Sequence, residues 1–185
     1  MTPSDPAGHA PEQSGAVSDA LSGEWLPHDS DTPHLHPDND RSTLSMALLM
    51  TPDLANFTGN VHGGAVLKLL DQVAYACASR YSRHYAVTLS VDRVIFREPI
   101  RVGEMLILSA SINYTGRTSM EVGIRVETES IHTGARRHTN SCYFTMVAME
   151  DGKPVEVPQL VPRTDIQRRR YEQAQRRREA LRDAR

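Results

Sequence analysis

Apolar residues recur with a helical spacing in the middle of the chain. From about His62 to Tyr81 they stand three and four residues apart, which predicts one amphipathic helix with a single apolar face. At 1.5 Å per residue this helix is about 30 Å long. A helix of this kind needs a second layer against which its apolar face can pack. The predicted apolar face consists of Val66, Leu69, Leu70, Val73 and Cys77.

Strand-like alternation follows the predicted helix. Its clearest run is Met120–Glu127, where every second residue is apolar. Two turn sequences, Thr115-Gly116-Arg117 and His132-Thr133-Gly134, separate the longer runs, and Asp151–Pro154 is expected to end the sheet. The order of elements predicts an α+β fold in which an antiparallel sheet of five to six strands wraps around one long central helix. Similar apolar runs predict further strands over 42–50, 85–92, 106–114 and 139–149.

Composition changes near residues 41 and 163. Residues 1–41 are rich in Pro, Asp, Ser, Gly and His, and we expect an acidic, disordered tail because so polar a segment cannot offset its ordering entropy. Residues 42–162 are expected to form the globular domain. Residues 163–185 are predicted to form a charged helix with a thin apolar stripe, packed by one edge and otherwise solvated. The alternative is that its arginines form a basic surface near a phosphate-rich ligand.

The whole-chain composition narrows the classes of function. The 185 residues fit one domain plus tails, and the net charge of −2 gives no support for nucleic-acid binding. No apolar run approaches the roughly 20 residues of a membrane helix, and the first residues lack the basic and apolar regions of a signal peptide. Cys77 and Cys142 fall inside predicted elements, so we expect buried free thiols. These features predict a cytoplasmic protein without a membrane partner.

The segment Gly59–Asp71 carries the candidate chemistry. Gly63 and Gly64 stand where a loop becomes the predicted helix, and a helix start offers unpaired N–H groups and partial positive charge. Glycine also lets a ligand come close to the backbone. Asn60 and Asp71 are the polar side chains that can position and activate a nucleophile there. Each has an ordinary alternative, since Asn60 also suits a turn or cap and Asp71 a solvated helix surface.

The residue types favour hydrolysis by a carboxylate and water. No serine or cysteine nucleophile stands in an elbow motif and no metal motif such as HExxH is present, so we expect neither a metal nor a cofactor. Asp71 can act as general base toward water or attack directly, and the sequence leaves both open. N–H groups around Gly63 and Gly64 can hold an oxyanion. A thioester suits such a site, because its thiolate leaves with little acid assistance.

Three longer motifs surround this segment. Gly59-Asn60-Val61-His62-Gly63-Gly64 leads into Leu69-Leu70-Asp71, the turn Thr115-Gly116-Arg117 continues as Thr118-Ser119-Met120, and Val157-Pro158-Gln159-Leu160 precedes the charged helix. In this combination the chain resembles the hotdog-fold acyl-CoA thioesterases, and more specifically the cytosolic (brain-type) acyl-CoA hydrolases and their single-domain bacterial relatives. The resemblance covers about residues 43–183.

The resemblance implies how the site is assembled. In the two-domain members of the family one domain supplies an asparagine and the other an aspartate, which correspond here to Asn60 and Asp71. One chain carries both, so the family implies a homodimer in which Asn60 of one subunit serves with Asp71 of the other, and a trimer of such dimers. Coenzyme A is then part of the substrate. The expected substrate-binding residues are His62, Gly63, Gly64, Thr88, Arg117, Thr118 and Ser119.

The implied activity is hydrolysis of medium- to long-chain fatty acyl-CoA to free fatty acid and coenzyme A. The alternative is a non-catalytic acyl-CoA sensor on the same fold, which the presence of both Asn60 and Asp71 disfavours. A third possibility is a hotdog hydratase or dehydratase, which pairs an acid with a catalytic histidine. His62 is the local candidate for that role, but its position fits the thioesterase motif better. The sequence does not fix the preferred acyl-chain length.

Overall fold

Six strands and two long helices make up the domain. The computed structural model describes residues 41–92 and 94–183. Apart from Arg41, the predicted tail over 1–41 lies outside the described residues. A single 3-10 turn, Pro52–Leu54, lies in the loop before the first helix. The elements are β1 (Thr43–Leu49), α1 (Gly63–Ser82), β2 (Tyr85–Asp92), β3 (Glu104–Thr115), β4 (Ser119–Ser130), β5 (Arg136–Glu150), β6 (Lys153–Pro154) and α2 (Asp165–Asp183).

The strands form one antiparallel sheet in the order β1-β3-β4-β5-β2, and β6 pairs with the end of β5. Both predicted turns join neighbouring strands, so β3, β4 and β5 form a meander. The sheet ends within Asp151–Pro154, as expected, but this segment is itself partly a strand. The chain turns at Asp151 and Gly152, both at positive φ, and Lys153–Pro154 adds a short sixth strand. The predicted α+β hotdog architecture, with five to six strands, is confirmed.

Helix α1 is the central helix predicted from the spacing of apolar residues. It begins at Gly63 with His62 as its N-cap, and it ends at Ser82, after which Arg83 adopts a left-handed conformation with φ of 68°. Such a residue lets the chain leave the helix and turn directly into β2. The helix contacts each of the strands β1–β5, which places it against one face of the curved sheet.

The core lies between α1 and this inner face of the sheet. Leu70, Val73 and Cys77 of α1 are completely buried, as are inward-facing strand residues such as Leu106 and Phe144. Leu69 is half-buried, so it lies at the border of the predicted stripe. Both cysteines are buried free thiols, as expected, and burial raises the pKa of Cys142 to about 12.

Helix α2 packs on the opposite, outer face of the sheet. Ala174 is buried, and the ring of Tyr171 lies 5.0 Å from that of Tyr114 in β3. Arg177 forms two hydrogen bonds to the carboxylate of Glu121, with Nε 3.1 Å and Nη2 2.6 Å from its oxygens. Most of the remaining side chains of α2 are exposed, which matches a charged helix packed by one edge.

An arginine fastens the loop between β2 and β3 to the sheet. The guanidinium of Arg137 donates to Glu98 at 2.5 Å and to Glu104 at 2.7 Å. Both contacts raise the pKa of Arg137 further, so it stays charged throughout the physiological range. Because Glu98 lies in the loop and Arg137 in β5, this ion pair fixes the loop beside the start of α1. Within the described residues, no helix is both long and apolar enough to cross a membrane.

Candidate active site

The start of α1 carries a histidine cap and an available N–H group. The His62 ring accepts a hydrogen bond at Nδ1 from the Gly64 N–H at 2.9 Å, which assigns the ring proton to Nε2. A Cβ atom at Gly64 would lie 3.1 Å from His62 Nδ1, so glycine leaves room for the ring. The Gly64 N–H is therefore already used. In the described part of the chain the Gly63 N–H has no hydrogen-bond partner, so of the two expected donors it is the one that remains available.

The loop before α1 is organised by an asparagine that the sequence analysis did not single out. Asn56 Oδ1 accepts hydrogen bonds from the N–H and the hydroxyl of Thr58, at 2.9 and 2.7 Å, and from the N–H of Asn60 at 3.2 Å. Its Nδ2 group has no partner among the described residues. An asparagine two residues before a threonine is typical of an Asx turn, and this was the signal available in the sequence. Asn60 itself donates from Nδ2 to the Thr58 hydroxyl at 3.3 Å.

Asp71 lies on the exposed side of α1 next to β2. Its Oδ1 accepts a hydrogen bond of 2.5 Å from the Thr88 hydroxyl. Thr88 stands where the register of β2 against β5 shifts between Thr88 and Ser90, and its hydroxyl also lies 3.5 Å from Met146 Sδ. The bulge and the threonine together fix one carboxylate oxygen and leave the other toward solvent. The structure thus brings together two of the expected site residues, Asp71 and Thr88.

Asp71 is separated from the loop that holds the asparagines. Asp71 stands eight residues after Gly63 in the helix, which corresponds to about 12 Å along the axis at 1.5 Å per residue. The side chains of Asn60 and Asp71 share no hydrogen bond in this chain. Among the described residues Asn56 and Asn60 bond within their own loop, and Asp71 bonds to Thr88.

A partly apolar cavity of about 230 Å³ opens beside the free Gly63 N–H. Its polar part is formed by Asn56, Asn60 and the backbone of Gly63, and Glu98 lies at its edge. Phe96 covers this site closely, since a Cβ atom at Gly63 would lie 3.6 Å from its ring. A carbonyl group with an apolar substituent fits this combination of one polar end and apolar walls. The apolar walls are Val61, Val66, Phe96, Pro99 and Ile100.

The remaining expected substrate residues lie on the hairpin between β3 and β4. The Arg117 side chain is 81% exposed, and its Nη1 lies 3.9 Å from the Glu156 carboxylate. The Thr118 carbonyl accepts from the Ala148 N–H at 3.0 Å. The Ser119 hydroxyl lies 3.4 Å from the Arg178 guanidinium. Ser119 in β4 pairs with Val147 in β5, and Val147 in turn pairs with a residue of β2. The hairpin therefore lies two strands away from Thr88 and its hydrogen bond to Asp71.

The described residues contain no group of three or more His, Cys, Asp or Glu side chains arranged to hold a metal ion. The site presents a fixed carboxylate, a free helix N–H, nearby amides and an apolar cavity. Such groups can activate water and stabilise an oxyanion.

Comparison with known sequences agrees with these features. A family model described as the thioesterase superfamily matches residues 58–135. Protein VdlD of Helicobacter pylori is 54% identical over 140 residues, which cover 76% of this chain and 80% of that protein. The cytosolic acyl coenzyme A thioester hydrolase of Rattus norvegicus is 34% identical over 156 residues, covering 81% of this chain. The chain spans 41% of the length of that longer protein.

Solved structures show the same similarity. A hexameric acyl-CoA thioesterase crystallised in its apo form is 38% identical, with a TM-score of 0.75 over 78% of this chain and 93% of that one. The acyl-CoA hydrolase of Staphylococcus aureus, solved with butyryl coenzyme A and coenzyme A, is 29% identical, with a TM-score of 0.71 over 78% and 90%. Structures of that enzyme also include alanine mutants of one asparagine, one aspartate and one threonine, which stand 15 and 17 residues apart in that order.

Proposed function

This chain belongs to the thioesterase superfamily and is an acyl-CoA hydrolase, and from that premise we propose that it converts medium- to long-chain fatty acyl-CoA to free fatty acid and coenzyme A. The observation that carries the proposal is the Asp71 carboxylate, exposed on α1 and held by the Thr88 hydroxyl at 2.5 Å. In the proposed reaction, water attacks the thioester carbonyl carbon and Asp71 takes its proton. The carbon–sulfur bond breaks, and the thiolate leaves and is protonated.

The oxyanion is proposed to bind at the start of α1. The Gly63 N–H points from the positive end of the helix and has no partner among the described residues. The His62 ring accepts the hydrogen bond of the Gly64 N–H, and this leaves the Gly63 N–H as the available donor. One such donor typically contributes about a hundredfold to a thousandfold to the rate. His62 is then a positioning residue, and Gly63 and Gly64 allow the thioester to approach the backbone.

The carboxylate and the amide are proposed to come from two subunits. About 12 Å of helix separates Asp71 from Gly63 within one chain, at 1.5 Å per residue. A two-fold axis that pairs α1 with its copy brings Asp71 of one subunit toward the Gly63 N–H of the other. Leu67 and Tyr75, four residues on either side of Asp71, are exposed apolar residues on the same face of the helix. A partner subunit that covers this face would bury them and exclude water from the site.

Two asparagines compete for the role of the amide. The sequence predicts Asn60, and this remains a prediction. The spacing of the three mutated residues in the Staphylococcus aureus hydrolase favours Asn56, because 15 and 17 residues are also the steps from Asn56 to Asp71 and from Asp71 to Thr88. Asn56 Nδ2 is free among the described residues, whereas Asn60 Nδ2 is bonded to Thr58. We propose Asn56 as the amide that contacts the substrate and Asn60 as part of the turn that holds it.

The acyl chain is proposed to enter the cavity beside Gly63, along Val66, Phe96 and Ile100. Because the cavity is open at its surface, a longer chain extends from it toward the partner subunit. Arg117, Thr118 and Ser119 are proposed to contact the phosphate and pantetheine portions of coenzyme A. Arg117 is suited to this role because its guanidinium is exposed and its contact with Glu156 is long.

The proposal is tested by steady-state hydrolysis of an acyl-CoA panel with a thiol-detecting reagent. Asp71→Ala is expected to lower kcat by about 10²–10⁴, the usual contribution of a general base. Asn56→Ala is expected to lower kcat more than Asn60→Ala. If Asn60→Ala instead lowers kcat more than Asn56→Ala, Asn60 is the amide that contacts the substrate. Normal rates in Asp71→Ala would refute the mechanism, and acyl-CoA binding without thiol release by the wild type would favour the sensor.

Sharing of the site is tested by mixing two inactive variants. Asp71→Ala and Asn56→Ala subunits, exchanged under mild denaturant and refolded together, should form heterodimers that contain one complete site. Half of the dimers in an equal mixture are heterodimers, so activity should recover to about a quarter of the wild-type level. No recovery after exchange has been verified by mass spectrometry would show that each subunit carries a complete site.

A further inference from the structure

A second, polar cleft lies on the outer face of the sheet, between the strands and α2. Its volume is about 170 Å³. Ser109, Ser111 and Asn113 of β3 line it and alternate with the inward-facing core residues Leu108, Ala110 and Ile112. The cleft is therefore on the side of the sheet opposite α1 and Asp71. Its other principal side chains are Arg125, Ser141, Tyr143, Arg169, Arg170 and Arg177.

The cleft is lined by four arginines and by no carboxylate. Two of the arginines are neutralised by neighbours, since Arg125 pairs with Glu127 at 2.9 Å and Arg177 with Glu121 at 2.6 Å. Arg169 and Arg170 form no ion pair within the described residues. Arg170 donates to the Ser111 hydroxyl at 3.2 Å, which directs its guanidinium toward the strands. The cleft thus holds two positive charges without a carboxylate partner.

We propose that this cleft binds a phosphate-bearing anion. Guanidinium groups match the geometry of phosphate oxygens with paired N–H donors, and the Ser109 hydroxyl, which has no hydrogen-bond partner among the described residues, adds a neutral donor to the same space. The Ser111 hydroxyl already donates to Asn113 Oδ1 at 2.9 Å, and the Ser141 hydroxyl lies 2.9 Å from His138 Nε2. The Tyr143 ring is already covered by Arg177, whose guanidinium carbon lies 3.6 Å from the ring centroid. It is not available to stack on a base, so the phosphate groups are the recognised part of the ligand. A free diphosphate or the diphosphate of a nucleotide presents this chemistry.

Binding there would also join α2 to the sheet. The anion would connect Arg169 and Arg170 of α2 with Ser109 of β3, and it would reduce the repulsion among the clustered arginines. A ligand that binds the folded protein alone raises its melting temperature. The expected signature is therefore thermal stabilisation together with saturable binding, without any requirement that the hydrolase site be occupied.

Calorimetric titration and thermal unfolding of the full chain at low ionic strength test the proposal. Sodium pyrophosphate and ADP are the two probes, and both should bind and raise Tm. Arg169→Gln/Arg170→Gln should weaken binding at least tenfold. Ser109→Ala, which leaves the charge unchanged, should weaken it severalfold. Tighter binding of ADP than of pyrophosphate would indicate a nucleotide as the source, and equal binding would indicate the phosphate group alone.

The matched control is Arg163→Gln/Arg176→Gln. It removes two exposed arginines, one just before α2 and one within it, that do not line the cleft. It should bind pyrophosphate within twofold of the wild type. Equal weakening in both double variants would show that the general charge, and not the cleft, attracts the anion, and would overturn the proposal. Absence of pyrophosphate binding by the wild type at millimolar concentration would also overturn it.

Discussion

At the scale of single residues, the start of α1 shows how one imidazole decides which backbone group is available for chemistry. His62 takes the Gly64 N–H, and the neighbouring Gly63 N–H stays free. A Cβ atom at position 64 would lie 3.1 Å from the ring, so a larger residue there would require the ring to shift by a few tenths of an ångström. The two glycines of the motif thus differ: the N–H of Gly64 is used by the cap, and the N–H of Gly63 stays available.

Gly64→Ala is expected to displace the His62 ring and remove the cap. Loss of an N-cap typically costs about 1 kcal/mol of stability, measured here as a shift in the midpoint of denaturant unfolding. His62→Ala should cost a similar amount, and the double variant should cost little more than either single change. Additive losses would show that the two residues act independently, contrary to the observed hydrogen bond.

Thr88→Val is expected to lower kcat by about 10–100-fold, because misplacement of a reacting group by about 1 Å can cost on the order of a hundredfold in rate. Valine keeps the shape of threonine and removes the hydroxyl that holds Asp71. Thr88→Ser keeps the hydroxyl and should retain most of the activity. Ser90→Ala on the same strand is the control, since no described contact depends on Ser90. A change in KM alone would mean that Thr88 binds substrate without positioning Asp71.

At the scale of elements, α1 has two functional faces at once. Leu70, Val73 and Cys77 face the sheet, while Asp71 lies between the exposed apolar residues Leu67 and Tyr75. The Tyr75 ring lies 5.7 Å from that of Tyr85 in β2, so the exposed face continues onto the edge strand. The same helix that anchors the core therefore presents the carboxylate, and rigidity of the core sets the position of Asp71.

Leu70→Ala tests the contribution of the core face. The side chain is completely buried, so its truncation should lower stability by about 2–5 kcal/mol through lost burial and a residual cavity. Lys68→Ala, two residues away and exposed, should change stability by less than about 0.5 kcal/mol. Both values come from the change in the free energy of unfolding. Equal effects would contradict the assignment of the inner face.

At the scale of the whole molecule, β2 is the edge of the sheet that a second subunit can extend. Tyr85 and Leu89 are 61% and 62% exposed, and Val91 is also exposed, which is a large apolar area for an unpaired edge. Edge strands paired about a two-fold axis bury such residues in homodimers. The trimer of dimers implied by the family resemblance remains a prediction, and the similar acyl-CoA thioesterase at 38% identity is hexameric.

Leu89→Asp is expected to dissociate the assembly into smaller species, because it places a charge in the proposed interface. Val161→Asp is the matched control, since Val161 is equally apolar and exposed but lies between β6 and α2. Sedimentation velocity measures both, and activity should fall with the loss of dimers if the site is shared. If the Leu89→Asp protein sediments as the full assembly, β2 is not the subunit interface.

The sequence by itself determined the elements and their order. Period-two and helical spacings, together with turn residues at 115–117 and 132–134, record which face of each element is apolar, and this pattern can be read from neighbouring residues alone. The boundaries of α1 and β2 agree with the prediction to within a residue. The family motifs added the hotdog arrangement and the expected roles of Asp71 and Thr88.

Only the tertiary structure decided which of these residues meet. The Asp71–Thr88 hydrogen bond joins residues 17 positions apart, and it forms where the register of β2 shifts. The Gly63 N–H stays unbonded because the His62 ring points to the Gly64 N–H instead. The role of Asn56 depends on loop hydrogen bonds that a pattern of apolar residues does not record. The outer cleft depends on how α2 lies on the sheet, because guanidinium groups spread along one helix acquire a shared site only when a second surface faces them.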